Sequence, residues 1–169
     1  ASKTFNLAGM KTAYVHCPNP TVLSRVRQNH RADLTIMGFV ANEAAYRDGG
    51  EWFDQVLPYI DANHSFTEEY VKRHMPMVAY KRAEGPFLNF MDFSQVMAAI
   101  NAEAMAKELD FRSPEHYFQN WLVEHSGVLL NPGTSYGAGS DGHMRMNVAS
   151  ARVVLEGALG AMAEAFRKV

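Results

Sequence analysis

The stretch SKTFNLAGMK, Ser2–Lys11, lies at the head of a 169-residue chain. An ordinary terminal segment is a frayed polar tail with little chemistry in it. Here Lys3 precedes Thr4 and Asn6, whose side chains bond a loop to itself, and Gly9, which lets the backbone turn closely. A lysine amine has a reference pKa of ~10.4 and turns nucleophilic near neutral pH only where burial or neighbouring cations depress that value. Residue type and spacing leave two readings open: a loop built around a reactive amine, or a solvated lysine.

Working outward, TAYVHC (Thr12–Cys17) reads as a short buried strand closed by the Pro18-Asn19-Pro20 turn. Helices are expected from Thr21 to about His30 and from Asp33 to about Arg47, the second with Met37, Val40, Ala41, Ala44 and Ala45 at helical spacing. Gly49-Gly50 stops it. From Glu51 to Met75 the positions Trp52, Val56 and Ile60, then Phe66, Tyr70 and His74, recur at intervals of four, the pattern of a long helix facing a core. Pro58 predicts a kink or break near Leu57, and Pro76 ends the run.

MVAYKRAEGPFLNFMDF (Met77–Phe93) alternates as two strands joined through Glu84-Gly85-Pro86, the second from about Phe87 to Phe93. Ser94 is placed to cap a helix over Gln95–Leu109. The next helix has Ser113 as N-cap, Pro114 at its first position and Gly127 past its end. VLL, a glycine-rich loop and the strand HMRMNV (His143–Val148) lead to a last helix, capped by Ser150, with Leu155, Leu159, Met162 and Phe166 on one stripe. This order of elements is α/β to α+β.

The totals narrow the partners. Hydrophobic residues make up 47% and charged residues 20% of the chain, an ordinary globular composition. A net charge of −2 with no Lys/Arg block argues against nucleic acid and membrane surfaces, and favours a small-molecule substrate. The single cysteine, Cys17, cannot form an internal disulfide, which makes the cytoplasm the expected setting. No apolar run approaches the ~18 residues of a membrane span. Seven histidines show no H-x-x-x-H or H-E-x-x-H spacing, so no metal site is expected.

SKTFNLAGMK resembles the cofactor-lysine segment of fold type I pyridoxal-phosphate enzymes, the class I/II aminotransferase superfamily, and within it the cystathionine β-lyase-like C–S lyase branch. The resemblance continues through EWFDQVLPYIDAN (Glu51–Asn63), EGPFLNFMDF (Glu84–Phe93), LLNPGTSYGAGSDGHMRMNVA (Leu129–Ala149) and the closing helix. It implies the C-terminal part of that fold: the end of the large cofactor-binding domain at 1–50, the connecting helix at 51–76 and a small α+β domain at 77–169. It further implies pyridoxal 5′-phosphate as cofactor, bound covalently by Lys3, which also serves as general base at the substrate Cα. Lys11, where many relatives have a phosphate-binding arginine, and Ser2 are implied at the phosphate; a lysine neutralises phosphate as a point charge without the bidentate fork.

In HMRMNV the alternation puts Met144, Met146 and Val148 on one face and His143, Arg145 and Asn147 on the other. Arg145 therefore faces a polar space, which by residue type alone reads as a solvated strand arginine; the resemblance makes it the arginine that grips the substrate α-carboxylate. Tyr136 resembles the aromatic at the substrate entrance, with packing as its alternative role. GAGSDG (Gly137–Gly142) satisfies G-x-G-x-x-G, but a strand rather than a helix follows it, so a dinucleotide site is rejected.

The large domain of the family, with its cofactor-ring pocket, is not recognisable ahead of Lys3. The chain is accordingly expected to be part of a longer enzyme and, alone, to bind cofactor poorly. For the complete protein the leading expectation is a C–S β-lyase acting on cystathionine or another S-substituted cysteine, as a homodimer. A class I/II aminotransferase is the alternative, and a non-catalytic interaction module or inactive fragment a further one.

Overall fold

A computed structural model describes residues 1–29, 35–85 and 87–169. The chain divides into two compact units, Ala1–Pro58 and Tyr59–Val169, and the division falls at the proline inside its longest helix.

The first unit holds a short 3-10 turn (Ala8–Met10), α1 (Pro20–Asn29), α2 (Ile36–Asp48) and the start of α3 (Gly50–His74). The Asn19 side chain accepts hydrogen bonds from the amides of Thr21 and Val22, and Thr35 accepts from Gly38, so each of α1 and α2 opens on a polar cap. The expected helix start at Asp33 lies outside the described residues. Thr12–Cys17 is not a strand: it pairs with no other segment among the described residues, and Tyr14 and Val15 are exposed. An unbroken apolar run signals a strand covered on both faces by neighbours, and among the described residues this unit contains no other strand to pair with. Likewise Met37 and Val40 are exposed on α2, and Ala41, Ala44 and Ala45 are no more than half-buried.

The second unit is a four-stranded antiparallel sheet of order β1-β2-β4-β3 with helices packed on its inner face. The strands are β1 (Ala79–Tyr80), β2 (Leu88–Asp92), β3 (Asn131–Pro132) and β4 (His143–Asn147). The two strands expected between Met77 and Phe93 do pair, Ala79 opposite Asp92 and Tyr80 opposite Met91. β3 escapes a reading based on alternation because two residues carry no period. Met91, Met144 and Met146 point inward into one core with Phe93, Phe118, Leu122 and Leu159, and Val148 is buried too. Full burial of such a side chain contributes roughly 1.5–3 kcal/mol.

Three helix expectations need correction. Gln95–Leu109 is two helices, α4 (Ser94–Ala99) and α5 (Ala102–Glu108), because Asn101 adopts the left-handed conformation at φ 52° and breaks the ladder. Ser94 does not cap it; the Asp92 carboxylate accepts from the Ser94 amide at 2.8 Å instead. The last helix, α7 (Arg152–Phe166), starts after Ala151, and the Ser150 carbonyl serves the buried Asn63 side chain. By contrast α6 (Pro114–Ser126) has the expected Ser113 cap, first-turn proline and Gly127 at φ 69°.

α3 runs unbroken through Pro58, which withholds the amide that would serve the Asp54 carbonyl. Its most buried positions are Asn63, His64, Thr67 and Val71, with Met75 just beyond, whereas Phe66, Tyr70 and His74 are half-buried and Trp52 is exposed. The polar stripe is structural. Asn63 donates to the carbonyls of Val148 (2.8 Å) and Ser150 (2.9 Å) and accepts from Arg152 Nε (2.8 Å), which ties α3 to the strand-to-helix junction after β4.

Candidate functional site

The residues singled out in the sequence fall in both units. Ser2, Lys3 and Lys11 belong to the opening loop of the first. Phe5 anchors that loop in an aromatic cluster, with ring centroids 5.2 Å from Tyr46 and 5.9 Å from both Trp52 and Phe53. Thr12, buried, bonds through Oγ1 to the Met10 carbonyl at 3.1 Å, and Ser2 Oγ donates to the Thr12 carbonyl at 3.3 Å. Gly38 of α2 is required beneath this loop, since a Cβ there would collide with Thr12 Oγ1 and approach the Met10 carbonyl to 2.6 Å.

Lys3 is exposed and, among the described residues, its amine has no hydrogen-bond or ion-pair partner. Lys11 is exposed too, at φ 53°, closing the 3-10 turn through its amide on the Ala8 carbonyl at 3.3 Å. The left-handed positions of the loop are thus Asn6 and Lys11, and Gly9, expected to supply the tight turn, is not one of them.

Arg145 and Tyr136 come together in the second unit. β4 turns Arg145 to the outer face of the sheet, and its guanidinium carbon lies 4.1 Å from the centroid of the Tyr136 ring, the range of a cation–π contact. Among the described residues no carboxylate pairs with Arg145, so its hydrogen-bonding edge is free for an anion. Tyr136 ends the 3-10 turn Gly133–Tyr136 and is followed by Gly137, Gly139 and Gly142, all at positive φ. Those glycines fold the connection back into β4, and no helix opens at the last of them, as the rejected dinucleotide reading required.

Two neighbours were not singled out in the sequence. Phe90 stands opposite Arg145 in register and meets the Tyr136 ring edge-on at 5.8 Å; Asn131 of β3 pairs with Arg145 from the other side. The signal for Phe90 was available: period-two alternation along β2 buries Asn89 and Met91 and turns Phe90 outward with the arginine. At the end of the same strands Asp92 pairs with His143. Burial works to raise the Asp92 pKa, but hydrogen bonds from Ser94 and the charge of His143 hold it below the ordinary carboxylate value.

No family model matches the chain. It is 31% identical over 98% of its length to a Mycobacterium leprae protein assigned as a cystathionine β-lyase, and 28% identical over 94% to the cystathionine β-lyase PatB of Bacillus subtilis. It spans 41% and 38% of the length of these two relatives. A crystal structure of a pyridoxal-phosphate-bound C–S lyase from Staphylococcus hominis superposes on 98% of the chain with a TM-score of 0.75 at 24% identity, covering 40% of that enzyme.

Proposed function

We propose that this chain, whose fold and sequence are those of the C-terminal part of pyridoxal-phosphate-dependent fold type I enzymes, carries the cofactor lysine and the substrate-carboxylate arginine of a C–S β-lyase. The observation that carries the reading is that Lys3 and Arg145 each lack a carboxylate partner among the described residues, in a chain similar over 98% of its length to a protein assigned as a cystathionine β-lyase. The donor set suits the cofactor. An exposed amine meets an aldehyde, a second lysine in the same loop meets a phosphate, and Ser2 offers a hydroxyl once it leaves the Thr12 carbonyl.

Bound pyridoxal phosphate would supply the sink for negative charge developing at the substrate Cα. Lys3 would hold it through Nζ and, as a neutral amine, would take the proton from the substrate Cα as general base. Arg145 fixes the substrate α-carboxylate by two parallel hydrogen bonds, held by its contact with the Tyr136 ring. Departure of a thiolate from Cβ, with addition of water, then gives thiol, pyruvate and ammonia.

The complete enzyme in this reading is a cytoplasmic homodimer. Residues 1–50 close its large domain, 51–76 connect, and 77–169 form the small domain. Among the described residues no helix is long and apolar enough to cross a membrane. The test is turnover of an S-substituted L-cysteine by the full-length protein. Equimolar pyruvate and thiol support the lyase, whereas turnover that needs a keto acid and releases no thiol makes it an aminotransferase.

A further inference from the structure

Glu115 is a carboxylate buried to 4% exposure at the second position of α6, far in sequence from any residue given a role above. Its Oε2 accepts from Ser113 Oγ at 2.7 Å. Its Oε1 accepts from the amide of Gly142, 27 residues away, at 2.9 Å. A carboxylate removed from water is costly unless strong donors meet both oxygens, and here they do. A helix cap alone does not need it, since Ser113 already caps α6.

Gly142 is gripped from three sides. Its amide goes to Glu115, its carbonyl accepts from the Phe93 amide at 2.9 Å, and its Cα lies against Ser94 so closely that a Cβ would collide with Ser94 Oγ. At φ 72° only glycine sits there without strain. The next residue, His143, starts β4 and returns its amide to the Ser140 carbonyl at 3.1 Å. Gly142 is therefore the fixed point of the segment that has Tyr136 on one side and Arg145 on the other.

We propose that Glu115 is a positioning residue for substrate: its carboxylate pins Gly142, and through it the register of Arg145 over Tyr136, so that the arginine meets the α-carboxylate without first ordering its strand. This rests on the reading of Arg145 as the carboxylate anchor. Preorganisation of this kind appears in substrate affinity rather than in the chemical step.

The test uses the full-length enzyme with Glu115→Ala, Glu115→Met, which keeps the volume if truncation unfolds the protein, and Glu115→Gln, which keeps an acceptor. Amide exchange should rise about tenfold across 137–147 in the Ala or Met variant and return towards wild type in the Gln variant. The KM for an S-substituted cysteine should rise by about the same factor with kcat within about twofold. Unchanged exchange at 137–147, exchange raised evenly over 59–169, or loosened exchange with an unmoved KM each overturns the proposal. Arg145→Lys separates the two ideas. An unmoved KM there refutes the anchor on which the proposal rests, and a raised KM there with an unmoved KM in the Glu115 variants refutes the positioning role alone.

Discussion

The two units solve the burial problem differently. Every buried apolar side chain among the described residues belongs to Tyr59–Val169, while in Ala1–Pro58 the buried residues are Thr12 and Gly38. The first unit instead leaves an apolar surface, with Tyr14, Val15, Ile36, Met37, Phe39 and Val40 exposed. Under the proposed function the remaining length of the enzyme covers it. The second unit holds itself together from its own sequence; the first orders one loop, around Phe5 and Thr12, and leaves its apolar surface unpartnered. The proposed reactive amine in the first and the proposed anion clamp in the second therefore rest on different foundations.

Substitutions can break that contrast, and the largest effect is expected at Lys3. Lys3→Ala in the full-length protein should lower pyruvate release by at least about 100-fold, since a general base contributes roughly 10²–10⁴. In the isolated chain the same substitution should leave thermal stability unmoved, because the side chain is exposed and, among the described residues, unpaired. Phe118→Ala is the reverse case. It empties a fully buried position stacked against Trp121 and Phe166 and should cost about 3–5 kcal/mol in denaturant unfolding. Met37→Ala, at a position 69% exposed, should stay within about 0.5 kcal/mol in the isolated chain. Equal costs at 37 and 118 would end the comparison.

Asn63→Ala sharpens it within the second unit. Two carbonyls and Arg152 Nε lose their partner, so a loss of about 1–3 kcal/mol is expected although no apolar core is touched. The smallest effect concerns pH. Burial works to raise the Glu115 pKa, but the Gly142 amide and the Ser113 hydroxyl overcome it and hold the group below its ordinary 4.5. Its stabilisation is therefore complete above that ordinary value and fades as pH falls through the lower folded value. The melting-temperature gap between wild type and Glu115→Gln should be flat above about 4.5 and narrow below it; a gap that widens on acidification would show the sign to be wrong.

Much of the second unit was legible because its side chains follow the periods that burial imposes. Met144, Met146 and Val148 alternate with Arg145, and Leu155, Leu159, Met162 and Phe166 form one helical stripe. The misses have physical causes. Asn63, His64 and Thr67 are buried as polar groups, which hydrophobic spacing cannot find, and Asn101 breaks a helix by backbone conformation rather than by composition. Thr12–Cys17 misled because an apolar run reports a need for neighbours, not their presence in the chain. Of the site, Lys3, Lys11, Ser2, Arg145 and Tyr136 were named from the sequence. Phe90 and Glu115 were not, the one because alternation gives a face of β2 but not its cross-strand neighbour, the other because its partner lies 27 residues away.

The proposed function requires Lys3 to be the covalent anchor of the cofactor. Borohydride reduction of the full-length protein loaded with pyridoxal phosphate, followed by peptide mapping, should place the reduced cofactor on Lys3, in the peptide that ends at Lys11 or before it. A stable label on Lys11, on a lysine outside Ser2–Lys11, or on none would contradict it.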